Sequence, residues 1–259
     1  MNIDGVVPLY LASAIRQGWK TVFNHDRGAI AEPIMTVPAL LFENDVMRTS
    51  EKNMLYSLIA SYDPSTGAHA WRVVHLAEAI ASYLGLSREE IMLTGMAALL
   101  HDIGKTSLAT SLVNKRGPLN HEEWKLMRLH PEIGQQILIM AGGIFASLAP
   151  MVVAHHERWD GLGYPACLIG EAIPIEARII AVVDSFDAMT SFRPYRKPMT
   201  VAESCAELWR CAGSQYDPRV VSAFFAVLDT TGKQTESHLI STPYFTIAVP
   251  TFASSAISA

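Results

Sequence analysis

Between Asn53 and Leu228, apolar residues recur at intervals of three and four, with no sustained alternation of apolar and polar positions. Such spacing belongs to helices that turn one face toward a core. It predicts an all-α unit over residues 53–228. Half of the residues are hydrophobic and 17% are charged, which supplies a large core and argues against global disorder. On either side the pattern changes. Residues 1–52 read as an N-terminal leader holding a helix, "VPLYLASAIRQGWKTVF", and a run, "AEPIMTVPALLF", whose two prolines favour an extended chain. Residues 229–259 read as a C-terminal tail rich in Ser, Thr and Ala, with "PYFTIAVPTF" as a short extended piece.

Within the helical unit the punctuation is specific. Asp63 and Pro64 are an N-cap and a first-position proline. Val73, Leu76, Ile80 and Leu84 then mark a core-facing stripe. His69 precedes the first three of these by four, seven and eleven residues. At about 100° per residue those offsets return to nearly one face, so His69 points inward. His75 falls off that face. Ser87 and Glu90 form a capping box for a second helix, which Gly104 is expected to end. A third helix, His121 to Met140, contains His130-Pro131, and the proline should kink or divide it. From Ile133 to Ala154 no residue is charged, a length that suits a membrane span. Gln135, Gln136, Gly142-Gly143 and Pro150 interrupt it, and the expectation is two buried helices. A later helix, "EARIIAVVDSFDAMTSF", carries Asp184 and Asp187.

The formal net charge is −5, which leaves no global field for a DNA or RNA polymer or for an anionic membrane. An anionic substrate would have to be gripped locally. Cys167, Cys205 and Cys211 show no CxxC spacing, so no disulfide framework is expected and a reducing compartment fits. Asp4 stands where a secretory signal would be basic. The expectation is a cytoplasmic chain without a membrane span.

His69, His101, Asp102, His130, His155, His156 and Asp184 are spread through these apolar helices. Burying each separately is costly, because an unpaired buried carboxylate loses several kcal/mol. Metal ions would satisfy all of them together. Imidazole and carboxylate suit iron, manganese, zinc or cobalt better than calcium or magnesium. Seven ligands are too many for one tetrahedral ion and about right for two, with an aspartate bridging.

"HDIGK" at 101–105 and "HHERWDGLGYP" at 155–165, with "DSFDAMTSFRPYR" at 184–196, resemble the HD-GYP family of HD-domain phosphohydrolases. An HD pair alone is weak, but this ordered set is specific, and the likeness extends over about residues 53–228. The resemblance implies a helical bundle around a metal centre and hydrolysis of cyclic di-GMP, a bacterial second messenger, to linear pGpG or GMP. It puts the metal ligands on the same seven residues, with Asp102 bridging two divalent transition metals, expected to be iron or manganese. Some members hold a third ion through a glutamate one turn before the first histidine. Ser65 stands there, so two ions are expected.

The resemblance also implies substrate contacts. Lys105 would steady a phosphoryl oxygen or the leaving 3′ oxygen. Tyr164 would offer a stacking face and a hydroxyl, and Asp187 would accept from a guanine. Arg193 and Arg196 would grip a guanine edge or a phosphate through the guanidinium fork. Glu157 and Asp160 are expected to order the turn, and the glycines of "GLGYP" to let the backbone approach a ligand. One alternative is a catalytically weak module that binds diguanylate cyclases or other signalling proteins through this loop; such members would lose ligands, and none of the seven is lost here. Another is hydrolysis of a different cyclic dinucleotide or a nucleotide monoester. The sequence leaves room for an oligomer.

Overall fold

A computed structural model describes residues 64–115, 117–191 and 197–234. The leader, Asp63, Arg193, Arg196 and the tail beyond Gln234 lie outside the described residues. Helix α1 is Pro64–Tyr83 and α2 is Arg88–Leu100; α2 opens on the expected capping box, with Ser87 and Glu90 each accepting the other's amide. A 3₁₀ turn, Ile103–Ser107, and a short α3, Thr110–Val113, follow. Next come α4, His121–Met127, α5, His130–Ala141, and α6, Ile144–Val153. Beyond a long loop lie α7, Ile175–Thr190, α8, Val201–Arg210, and α9, Pro218–Gln234. Among the described residues the β pairing is a single isolated bridge, Ala212 with Tyr216. The all-α expectation holds.

The core lies where α1 packs on α2 and α7, α5 packs on α6, and α9 closes on α1 and α7. Val73, Ile80, Leu100, Ile133, Ile137, Leu148, Ile180 and Phe224 meet there fully enclosed or nearly so. Phe186 of α7 meets Phe224 of α9 edge to face at 4.8 Å, a geometry that suits the ring quadrupoles. Cys205 and Cys211 are buried free thiols, and Cys167 is an exposed one.

The uncharged stretch divides as expected: α5 ends at Ala141, and Gly142 and Gly143 take positive φ angles of 72° and 56° before α6 begins. Glycine adopts that backbone without steric cost. The glycine pair alone makes the break, since Pro150 sits inside α6. No helix of the described residues is long and apolar enough to cross a membrane. Pro131 divides the predicted third helix by occupying the first turn of α5, where a missing amide hydrogen is tolerated.

Two boundaries differ from expectation. Helix α9 continues past Leu228 to Gln234, because Val220, Val221, Phe224, Val227 and Leu228 seat its apolar face in the core. Helix α2 ends at Leu100, and Gly104 lies within the following 3₁₀ turn. Gly104 serves contact rather than capping: a Cβ there would stand 1.9 Å from the carbonyl oxygen of His130.

Candidate metal centre

Helix ends deliver most of the predicted ligands. His101 caps the C-terminus of α2, His130 opens α5, and His155 and His156 follow the last turn of α6. His69 comes from α1 and Asp184 from α7. Three rings share one device. The Nδ1 atoms of His101, His130 and His155 lie 2.7, 2.7 and 2.6 Å from the carbonyl oxygens of Ala98, Met127 and Val152, each three residues earlier. A carbonyl only accepts, so each Nδ1 carries a proton, and Nε2 is left as the ring atom that turns toward the centre. Carbonyls near helix C-termini are available for this because they lack intrahelical partners.

The donor atoms converge. His130, His155 and His156 form one group, and His69, His101 and Asp184 form another; within each group the ligand atoms lie within 4.8 Å of one another. Asp102 stands between the two. Its Oδ2 is 3.4 Å from His101 Nε2, and its Oδ1 is 3.3 Å from His130 Nε2 and 4.0 Å from His155 Nε2. The sequence-predicted ligands are therefore gathered in one place, in two sets joined by one carboxylate.

Cations fit this donor set. His130 Nε2 and His155 Nε2 face each other at 3.3 Å, although with both Nδ1 atoms protonated neither can donate to the other. His101 Nε2 and Asp102 Oδ1 are buried without a hydrogen-bond partner. Burial and the neighbouring His130 push His156 down to about 3, and burial and His156 hold His155 well below its ordinary value. Both rings are thus neutral, as a ligand must be. Burial opposes charge on His101, but Asp102 and Asp184 outweigh it and raise that ring to about 9. Burial also opposes charge on Asp102, which Lys105 and His101 nevertheless hold well below the usual carboxylate range. The acidic side of the centre calls for positive charge, and the imidazole side offers lone pairs to it.

Lys105 Nζ is 2.6 Å from Asp102 Oδ2. The Tyr164 ring stacks on His156, with centroids 4.9 Å apart and planes at 23°, and the Arg128 guanidinium lies 4.4 Å over it. Tyr164 is therefore already stacked within the protein rather than left as a bare platform. Asp187 departs from its expected role. It is buried, and His69, Arg72 and Ser191 occupy its carboxylate, so it faces a histidine rather than a guanine. Sequence reading passed over Arg72 and Arg128; the one signal was their spacing, three residues after His69 and two before His130.

The loop after His156 is ordered from within, as expected. Glu157 is buried and accepts from the amides of Ala166 and Leu168 at 2.7 and 3.1 Å; Asp160 pairs with Arg158 at 2.6 Å. Gly163 differs from expectation, because its close approach is to the chain itself: a Cβ would stand 2.4 Å from Arg158 N and 2.5 Å from Glu157 Cα. Replacing Glu157 with alanine strands two amide donors at about 1–3 kcal/mol each. The expected result is rapid hydrogen exchange at Ala166 and Leu168, measured by NMR or mass spectrometry; wild-type protection there would refute the anchoring role.

Comparison with known proteins places this arrangement. A family model of the HD domain matches residues 53–220. This chain belongs to the HD-domain family. Phosphohydrolases of the HD-domain family bind divalent metals, in keeping with the His/Asp groups here. The cyclic di-GMP phosphodiesterase response regulator RpfG of Xanthomonas campestris pv. campestris is 44% identical over 162 residues, 62% of this chain and 43% of that protein. The 3'3'-cGAMP-specific phosphodiesterase 2 of Vibrio cholerae is 37% identical over 191 residues, 70% of this chain and 36% of that one. This HD-domain chain spans less than half the length of either relative. Among solved structures, an HDG"Y"P protein from Bdellovibrio bacteriovorus shares the fold, with a TM-score of 0.52 at 17% identity, over 85% of this chain and 70% of that one.

Proposed function

We propose that this chain is a phosphodiesterase that opens cyclic di-GMP to linear pGpG, or onward to GMP, with two divalent metal ions. The observation that carries the reading is Asp102, one carboxylate whose two oxygens face two imidazole-bearing groups. His69, His101 and Asp184 would hold one ion, His130, His155 and His156 the other, and Asp102 both. Iron or manganese suits the mixed set. Such a pair supplies charge stabilisation at phosphoryl oxygens and an activated water for in-line displacement. Lys105, held beside Asp102, brings a fixed positive charge to the phosphate or to the leaving 3′ oxygen. Arg193 and Arg196 grip the substrate by their planar forks, and Tyr164 with Arg128 forms the rim above His156. A leader over residues 1–52, a domain that begins at residue 53 and runs to the end of α9 at Gln234, and a cytoplasmic location go with this reading.

The test is incubation of the purified chain with cyclic di-GMP and Mn²⁺ or Fe²⁺, followed by chromatography of the products. Linear dinucleotide or GMP is expected, lost on chelation and restored by metal. Intact cyclic di-GMP would overturn the reading. The 37% identity to a cGAMP-specific enzyme favours 3'3'-cGAMP as the second substrate to try, and the ratio of kcat/KM values decides between them.

A further inference from the structure

Four of the ligand-type histidines need their Nδ1 proton held so that Nε2 points at the centre. Three use a backbone carbonyl. His69 cannot do so, because it sits inside α1, where the carbonyls of the preceding turn are engaged in the helix. Its Nδ1 instead lies 2.6 Å from Asp187 Oδ2, and its Nε2 faces Asp184 Oδ1 at 3.4 Å. A carboxylate in that place fixes the tautomer and the orientation of the ring.

That carboxylate would not stay there unaided. Asp187 and Asp184 are one turn apart on α7, and Asp187 is buried. Two acids so close repel, and a loosely held Asp187 could rotate away from His69. Arg72 prevents this. Its Nε donates to Asp187 Oδ1, and its Nη2 donates to Asp187 Oδ2 at 2.9 Å and to Ser191 Oγ at 3.1 Å. The Ser191 hydroxyl in turn donates to Asp187 Oδ2 at 3.1 Å. The fork fixes the carboxylate in one plane and cancels its charge. Arg72 is one helical turn from His69 on α1, so a single helix carries both the ligand and the clamp on its orienting acid.

We infer that Arg72 is a positioning residue: acting through Asp187, it holds His69 with Nε2 toward the His101–Asp184 group. This rests on reading that group as a metal site. Titrations of the full chain with Mn²⁺ or Co²⁺, with metal counted per chain, test it. The unaltered chain is expected to take up two ions. Arg72→Met should weaken one of them about 10- to 100-fold and leave the other unchanged. Arg72→Lys, which keeps the charge without the fork, should recover the melting temperature but only part of the affinity. Asp187→Asn should weaken the same single ion, and it serves where Arg72→Met does not fold. A merely structural role would lower both affinities together with stability. Two ions bound at wild-type affinity by Arg72→Met or Asp187→Asn would overturn the inference and leave the proposed function standing. No uptake by the unaltered chain would overturn both.

Discussion

Asp102→Ala is expected to take turnover of a cyclic dinucleotide below detection and to strip most of the bound metal. The carboxylate faces both sets of candidate ligands: Oδ2 lies 3.4 Å from His101 Nε2 and Oδ1 lies 3.3 Å from His130 Nε2. It also anchors Lys105 at 2.6 Å. Removing it leaves lone pairs and a lysine charge facing each other with no anion between them. Breaking one partner out of a buried charged cluster costs about 3–5 kcal/mol, on the order of a thousandfold in an equilibrium constant. Asp102→Asn keeps the shape and one acceptor but loses the charge, and it should fall with the alanine variant. His75→Ala is the control, since that exposed histidine stands apart from both groups. Metal counted per chain and chromatography of the products give the two readouts. An Asp102→Ala chain that retains metal and turnover would remove this residue from the centre.

The candidate ligand set was legible because its residues carry two signals at once. Each is a metal-type side chain, and each lies in an apolar helical stretch where it would otherwise be buried without reason. His69 also declared its direction through its offsets from Val73, Leu76 and Ile80. Capping chemistry was legible for the same kind of reason: Ser87 and Glu90 act within one turn, so their spacing contains the contact. Contacts made with long-range neighbours left no such signal. Asp187 looked available because its partner His69 lies 118 positions away and Arg72 lies 115 away. Tyr164 looked like an open platform because Arg128, which covers it, lies just past the end of α4, far from the loop in sequence. Gly104 and Gly163 were assigned the usual local tasks of glycine, whereas their neighbours are pieces of backbone that only the folded chain brings close.

Gly104→Ala tests how tightly that packing and the centre are joined. The backbone of Gly104 is outside the left-handed region, so any residue could adopt it, and crowding alone demands glycine here. A Cβ would stand 1.9 Å from the His130 carbonyl oxygen and 2.7 Å from Gly134 N. Both are backbone atoms in the first turns of α5, so neither can swing aside as a side chain would. The 3₁₀ turn and α5 must separate by more than an ångström to reach ordinary contact, near 3.4 Å. Overpacking of this kind costs about 3 kcal/mol or more, which lowers the melting temperature by roughly 6–12 °C in a domain of this size. The displacement also has a direction. Asp102 precedes the turn and His130 opens α5, so the two move apart, and affinity should fall more at the His130–His155–His156 group than at the His69–His101–Asp184 group. Gly117→Ala is the companion measurement: nothing lies within 4 Å of its Cβ position, and wild-type melting is expected. If calorimetry gives Gly104→Ala the same melting temperature as Gly117→Ala, the contact between the turn and α5 is looser than these distances require, and the link from that contact to the metal centre falls with it.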